Sequence, residues 1–208
     1  MDSILFWLGA LLVLSLLSPL LKILIAATHG KEIGESALAQ QPDRIHLQKS
    51  TPEAWKNRRA AEQLAHSFVS RGFSDAGVHT IAELPVVVQL LAHGGDSFYA
   101  AIYQHPQVGT WFDLVSLYED GTSVTYSTAR PTALEPRPGH PTVNLPGATP
   151  DHVVEKAKGQ RPRKPLMPAS AWDAAAVFEQ AYENATAYRK GVGISTAEVV
   201  GTAMRKVA

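Results

Sequence analysis

The most apolar part of the chain lies at its N-terminus. Residues 3–21 contain no charged side chain, and after Lys22 the apolar run continues to Ala27. A helix rises about 1.5 Å per residue, so roughly 20 residues cross a hydrocarbon core of ~30 Å. Residues 4–27 meet this requirement and predict one transmembrane helix in contact with the lipid bilayer, with 1–28 as the membrane anchor.

The charges that flank this run predict its orientation. Only Asp2 and the terminal amine precede it, whereas several Lys and Arg side chains follow it, from Lys22 to Arg59. The positive-inside rule therefore predicts a single-pass membrane protein whose soluble part lies in the cytoplasm. The alternative is a secreted or extracytoplasmic protein released by cleavage near Ala39, where a small-x-small pattern of the kind accepted by signal peptidases ends.

The rest of the chain predicts a linker and one α+β domain. Residues 29–50 are polar and aperiodic, which indicates a juxtamembrane linker, and residues 51–208 form the predicted domain. Its first helix is expected to begin at a capping box made by Ser50 and Glu53. Gly72 follows the last apolar residue at helical spacing and is expected to end this helix.

Between residues 76 and 128 the apolar spacing changes from helical to that of strands. Turn residues divide this region into four or five strands, which predicts an antiparallel meander packed by helices. The strongest turn signal is Asp120-Gly121, because both residues tolerate the positive φ of a two-residue type I′ hairpin. Such a turn would place five residues on one face of the sheet: Trp111, Val115, Leu117, Val124 and Tyr126.

The last third of the chain predicts cover for the sheet. Residues 129–150 are rich in proline, which indicates an extended wrap without regular structure. A short helix is expected at 150–158. Capping boxes at Ser170–Asp173 and Ser195–Glu198 predict two further helices.

Composition narrows the possible functions. The chain has 208 residues, with 19 Lys and Arg against 19 Asp and Glu, and a pI near 7.1. A nucleic-acid binder normally carries a basic excess, so no nucleic-acid partner is expected. The absence of Cys excludes a thiol nucleophile and any zinc site with sulfur ligands.

The 8 histidines do not predict a metal site. No two of them have the i, i+4 spacing of a helical ligand pair, and no His-Glu-x-x-His run is present. Glycine-rich phosphate loops and an EF-hand are absent too. We therefore expect neither a metal nor another cofactor.

His105 and Asp113 are the candidates for catalytic chemistry. A hairpin that closes through 106–109 would bring them near one another, and a His beside an Asp can act as a general base with its orienting partner. No nucleophile accompanies them, because Ser116 lacks the sharp strand-to-helix turn that exposes a nucleophilic serine. The preferred interpretation is that the His105 ring binds turn groups beside it, which leaves enzymatic activity open but not favoured.

A basic cluster in the C-terminal third is a second candidate for binding. Close to a membrane, such a cluster can contact anionic headgroups. Its members are Lys156, Lys158, Arg161, Arg163 and Lys164.

These features together predict a membrane-anchored, non-catalytic interaction or accessory protein, with other membrane proteins among its possible partners. The alternative is a membrane-tethered enzyme, or a small-ligand-binding domain with a pocket between sheet and helix.

Overall fold

The computed structural model describes residues 23–207, which fall into two compact units. The sheet unit comprises Pro42–Arg130 and Pro136–Tyr188. The helical unit comprises the described residues up to Gln41, Pro131–Glu135 and the described residues from Arg189 onward.

The sheet unit is built on a seven-stranded sheet whose strands lie side by side in chain order. Neighbouring strands are antiparallel, except for the last pair, which is parallel. The strands are β1 Leu47–Ser50, β2 Ser74–Ile81, β3 Leu84–His93, β4 Phe98–His105, β5 Gly109–Leu117, β6 Ser123–Ser127 and β7 Thr142–Asn144.

The described part of the chain has five helices. A short 3-10 turn at Pro52–Ala54 precedes the second of them. The helices are α1 over 23–39, α2 Arg58–Val69, α3 Pro150–Gln160, α4 Ala174–Val192 and α5 Thr196–Val207.

The α+β class is the one predicted, but the sheet has seven strands where four or five were expected. The additional edge strands come from segments that the sequence marks as irregular: β1 lies in the predicted linker and β7 in the predicted proline-rich wrap. Proline cannot donate a hydrogen bond, but its carbonyl can still accept one. The backbone N–H of Thr125 donates to the carbonyl of Pro141 at 3.0 Å, which brings the wrap to the edge of the sheet.

No helix within residues 23–207 is long and apolar enough to cross a membrane. This finding contradicts the predicted single-pass anchor and the membrane localisation drawn from it. The predicted span ends at Ala27, and the rest of α1 carries Lys31, Glu32 and Glu35, so the described part of this helix lacks the continuous apolar stretch that a membrane span needs. Residues 4–22 of the predicted span lie outside the described residues.

Small residues allow a close helix contact inside the helical unit. Ala26, Gly30 and Gly34 recur once per turn of α1 and are buried. A Cβ atom on Gly30 would lie 2.6 Å from Cγ2 of Thr196, and one on Gly34 would lie 2.7 Å from the carbonyl oxygen of Ile194. The contact therefore requires glycine at both positions.

Each face of the sheet has a separate apolar core. One face of the sheet, called the α2 face, packs against α2 and α3. The opposite face, called the α4 face, packs against α4. Fully buried residues of the α2 face include Phe68, Phe98, Ile102, Leu114 and Val153. Buried residues of the α4 face include Val88, Leu90, Ala101 and Ala174.

The hairpin between β5 and β6 is not the predicted two-residue turn. Gly121 has a φ of +77°, but Asp120 does not have the positive φ that a type I′ turn also requires. The backbone N–H of Gly121 instead donates to the carbonyl of Tyr118 at 3.0 Å. This geometry is that of a tight turn followed by a one-residue bulge at glycine.

The bulge shifts the strand register by one residue from the predicted one. Leu117 pairs with Ser123, not with Val124. A shift of one residue moves every side chain of a strand to the other face. Val124 and Tyr126 therefore belong to the core of the α2 face, while Leu117 points toward the α4 face.

Replacing Gly121 with alanine is expected to lower the free energy of unfolding by about 1 kcal/mol, because an L-residue resists positive φ. No atom lies within 4 Å of an added Cβ, so the loss reports the backbone conformation alone. Gly159 in α3 has equally open surroundings and no positive φ, so Gly159→Ala is the control and should stabilise by about 0.5–1 kcal/mol. Urea unfolding measures both, and a stabilised Gly121→Ala variant would contradict the bulge.

Candidate functional site

A cavity lies between the α4 face of the sheet and the helix that covers it. Its volume is about 70 Å³. One water molecule needs roughly 10–15 Å³ of such space, so the cavity is several times larger than a water site. It is nevertheless smaller than the ~300–1,000 Å³ typical of pockets that enclose a whole small molecule. Its size suits one aliphatic group or one aromatic ring.

The floor of the cavity is formed by alternate residues of neighbouring strands. Side chains two positions apart in a strand point to the same face. Tyr99, Ala101 and Tyr103 follow this rule along β4, and the register places Val115 of β5 opposite Tyr99. Leu90 and Leu117 extend the floor on either side.

The roof of the cavity is the apolar stripe of α4. Ala174, Val177, Phe178 and Ala181 have the i, i+3, i+4, i+7 spacing of one helix face. Ala174 is buried, whereas Ala181 is exposed although it lines the cavity, so it lies at the mouth. The ring of Phe178 lies 5.9 Å from the ring of Tyr103, centroid to centroid, and so joins roof and floor.

Two hydrogen bonds fix α4 on the sheet. The hydroxyl of Tyr99 donates to Oδ1 of Asp173 at 2.8 Å, immediately before the helix begins. Burial, with this bond, raises the pKa of Tyr99 to about 12, so the hydroxyl remains a donor. Along the helix, Oε1 of Glu179 accepts from the backbone N–H of Leu47 at 2.6 Å. The width of the cavity therefore depends on polar contacts at both edges of the interface.

Asp113 lies on the same face, next to the cavity floor. The register pairs it with Ala101 of β4 and Ser127 of β6. Its Oδ1 atom is out of reach of solvent and has no hydrogen-bond partner in the part of the chain that the structure describes. Burial raises the pKa of Asp113 to about 6, although the hydroxyls of Ser127 and Tyr103 partly oppose this change.

Tyr103 connects the cavity to Asp113. Burial, together with the charge of Asp113, raises the pKa of Tyr103 well above its usual value. Its ring stacks on that of Trp111 with centroids 4.9 Å apart and an interplanar angle of 12°. One side of Tyr103 thus faces the apolar cavity, while its hydroxyl remains a protonated donor beside the carboxyl group.

The structure does not bring His105 and Asp113 together. His105 pairs with Gly109, whereas Asp113 lies opposite Ala101, four positions or about 13 Å along the strand. Nδ1 of His105 accepts from the backbone N–H of Gln107 at 3.1 Å, within the turn.

The described residues hold no obvious metal site. Within residues 23–207, no group of three or more His, Asp and Glu side chains is placed to hold a metal ion. Ser116 lies fully buried on the α2 face, on the opposite side of the sheet from Asp113.

Much of the basic cluster is engaged inside the sheet unit. Lys158 forms an ion pair with Asp96 at 2.7 Å, and Lys164 forms one with Asp120 at 2.8 Å. The guanidinium of Arg161 donates to the backbone carbonyl of Asp96 at 2.6 Å. Among the described residues, Lys156 and Arg163 are the members of the cluster that form neither an ion pair nor a side-chain hydrogen bond, whereas Arg161 is held by hydrogen bonds alone.

No protein-family model, curated protein or solved structure matches this chain. The interpretation of the cavity therefore depends on its own geometry and chemistry.

Proposed function

We propose that this chain is a non-catalytic binding protein whose sheet unit holds an apolar group of its ligand between β4, β5 and α4. The observation that carries this proposal is the cavity itself. Every residue that lines it is uncharged, and its only polar side-chain atoms are the hydroxyls of Tyr99 and Tyr103. Apolar walls with a few placed polar groups are typical of binding sites.

The size of the cavity indicates how strongly an isolated group would bind. Burial of apolar surface contributes roughly 25 cal/mol per Å², so a phenyl-sized group that buries about 150 Å² gains ~4 kcal/mol. This corresponds to a Kd on the order of 1 mM before the cost of immobilising the ligand. A tighter natural ligand therefore needs further contacts outside the cavity.

The polar groups near the cavity support binding rather than catalysis. Tyr99 is held by Asp173, and Tyr103 has a strongly raised pKa that keeps it protonated. The imidazole nearest in sequence to Asp113, that of His105, is bound within its own turn. These groups can orient a ligand, but they do not form a relay for proton transfer.

Ala181→Phe is expected to weaken the binding of toluene at least tenfold, because the added ring fills the mouth of the cavity. Ala176→Phe is the matched control: Ala176 is exposed on the same helix and does not line the cavity, so this variant should bind toluene within twofold of the unaltered chain. Methyl-detected NMR titration measures both affinities. Unchanged binding in Ala181→Phe, or no saturable binding of toluene to the unaltered chain, would contradict the proposed function.

A further inference from the structure

We propose that the ligand is an organic ammonium compound, whose apolar group enters the cavity and whose charged nitrogen binds Oδ1 of Asp113. This inference rests on the proposed function and names the chemical class of the ligand that it requires.

The carboxyl group and the cavity share a wall. Three residues that line the cavity surround Asp113 on the α4 face: Ala101 lies opposite it, Val115 lies two positions along the same strand, and Tyr103 lies diagonally across. Residues directly opposite in a sheet have Cβ atoms about 4.5–5.5 Å apart. Ala101, which both lines the cavity and pairs with Asp113, has only a methyl group as its side chain.

Asp113 lacks a counter-charge, and one of its two carboxylate oxygens lacks a hydrogen bond. Its Oδ1 atom is buried and unpartnered, and no Lys, Arg or His side chain among residues 23–207 forms an ion pair with it. A buried carboxylate in this state is unfavourable unless a cation or a donor satisfies it. An ammonium group supplies both the charge and the N–H donor.

The aromatic surroundings also favour a cation. Trp111 precedes Asp113 by two positions on the same face, and its ring stacks on Tyr103. The faces of such rings carry negative electrostatic potential and attract ammonium groups. An anionic ligand would instead meet the carboxylate and these ring faces, so the site should discriminate by charge and not only by shape.

Four probes of similar shape separate charge from apolar contact: toluene, benzyl alcohol, benzylamine and benzoate. At about neutral pH benzylamine is a cation, and a charge-assisted hydrogen bond should make it bind at least about tenfold more tightly than benzyl alcohol. Benzoate should bind more weakly than either. In Asp113→Asn, the affinity for benzylamine should fall to within twofold of the affinity for benzyl alcohol, and the affinity for toluene should stay unchanged. Asp151→Asn is the control, because Asp151 is an exposed carboxylate on α3, and this variant should still bind benzylamine more tightly than benzyl alcohol.

The outcomes distinguish this inference from the proposed function. If toluene binds but benzylamine and benzyl alcohol bind equally, the ammonium inference is overturned and the apolar site remains. If toluene does not bind the unaltered chain, the proposed function fails as well. If Asp113→Asn loses toluene binding through misfolding, the ranking of the four probes on the unaltered chain decides, and a preference for benzoate or benzyl alcohol over benzylamine overturns the inference.

Discussion

Replacing Phe112 with alanine is expected to lower the free energy of unfolding of the sheet unit by about 4 kcal/mol. Phe112 of β5 is 2% exposed, and its ring meets Phe68 edge-on with centroids 5.2 Å apart. Phe68 in turn meets Phe73 at 5.0 Å. Truncation of a buried Phe typically costs about 3–5 kcal/mol through lost apolar burial and the cavity left behind. A domain is stable by only ~5–15 kcal/mol, so this loss is a large fraction of the total.

Urea unfolding followed by circular dichroism measures this effect. Val108→Ala is the control, because Val108 is 64% exposed in the turn between β4 and β5 and should change stability by less than about 0.5 kcal/mol. A loss below about 1 kcal/mol in Phe112→Ala would show that α2 does not cover this face of the sheet.

Glu198→Gln is expected to destabilise the helical unit by about 3 kcal/mol at neutral pH. The Glu198 side chain is 12% exposed and forms an ion pair with Arg189 at 3.0 Å. It also accepts from the backbone N–H groups of Ser195 at 2.8 Å and Glu135 at 2.9 Å. Burial raises the pKa of Glu198, but these donors and the Ser195 hydroxyl outweigh burial and lower the pKa to about 2. One pKa unit corresponds to about 1.4 kcal/mol.

The lowered pKa of Glu198 also predicts how the stability difference between the unaltered chain and Glu198→Gln changes with pH. The folded pKa of Glu198 lies below its ordinary value of 4.5, so its contribution is present above about pH 4.5 and is lost as the pH falls toward 2. The difference between the two proteins should therefore shrink across this interval. Hydrogen exchange of the α5 amides measures this difference in stability. Glu35→Gln is the control, because the Glu35 side chain is exposed. A difference that stays constant from pH 6 to pH 2 would contradict the account.

Local signals in the sequence predict local structure at some positions and not at others: the capping box expected at Ser50 and Glu53 does not form, because α2 begins at Arg58 with Asn57 as its N-cap. The spacing of Ser195 and Glu198 predicts a capping box, and both reciprocal hydrogen bonds are present at the start of α5. Only four residues are involved, so no distant segment is needed to form it. The hairpin at Gly121 shows the limit of such reasoning: Asp-Gly is compatible with either a two-residue turn or a bulge, and one added residue reverses the face of every side chain in β6.

The cavity could be predicted only in part. The apolar stripe of α4 is visible as helical spacing, and Asp113 stands out as an acidic residue within an apolar strand. The width of the gap is set by contacts between residues far apart in the chain, such as Tyr99 with Asp173, 74 positions apart, and Leu47 with Glu179, 132 positions apart. No periodicity encodes such a distance. The location of a cavity therefore requires the folded structure.

The most direct test of the central claim is a methyl-resolved NMR titration of the full chain with toluene. The account predicts saturable shifts for methyl groups around the cavity and no comparable change for those in the core of the opposite face. The cavity reporters are Leu90, Val115, Leu117 and Val177, and the reporters of the opposite face are Leu114, Val124 and Val153. Saturable shifts confined to the first group would support the binding site between β4, β5 and α4. Shifts in the second group alone, or no saturable shift in either, would contradict it.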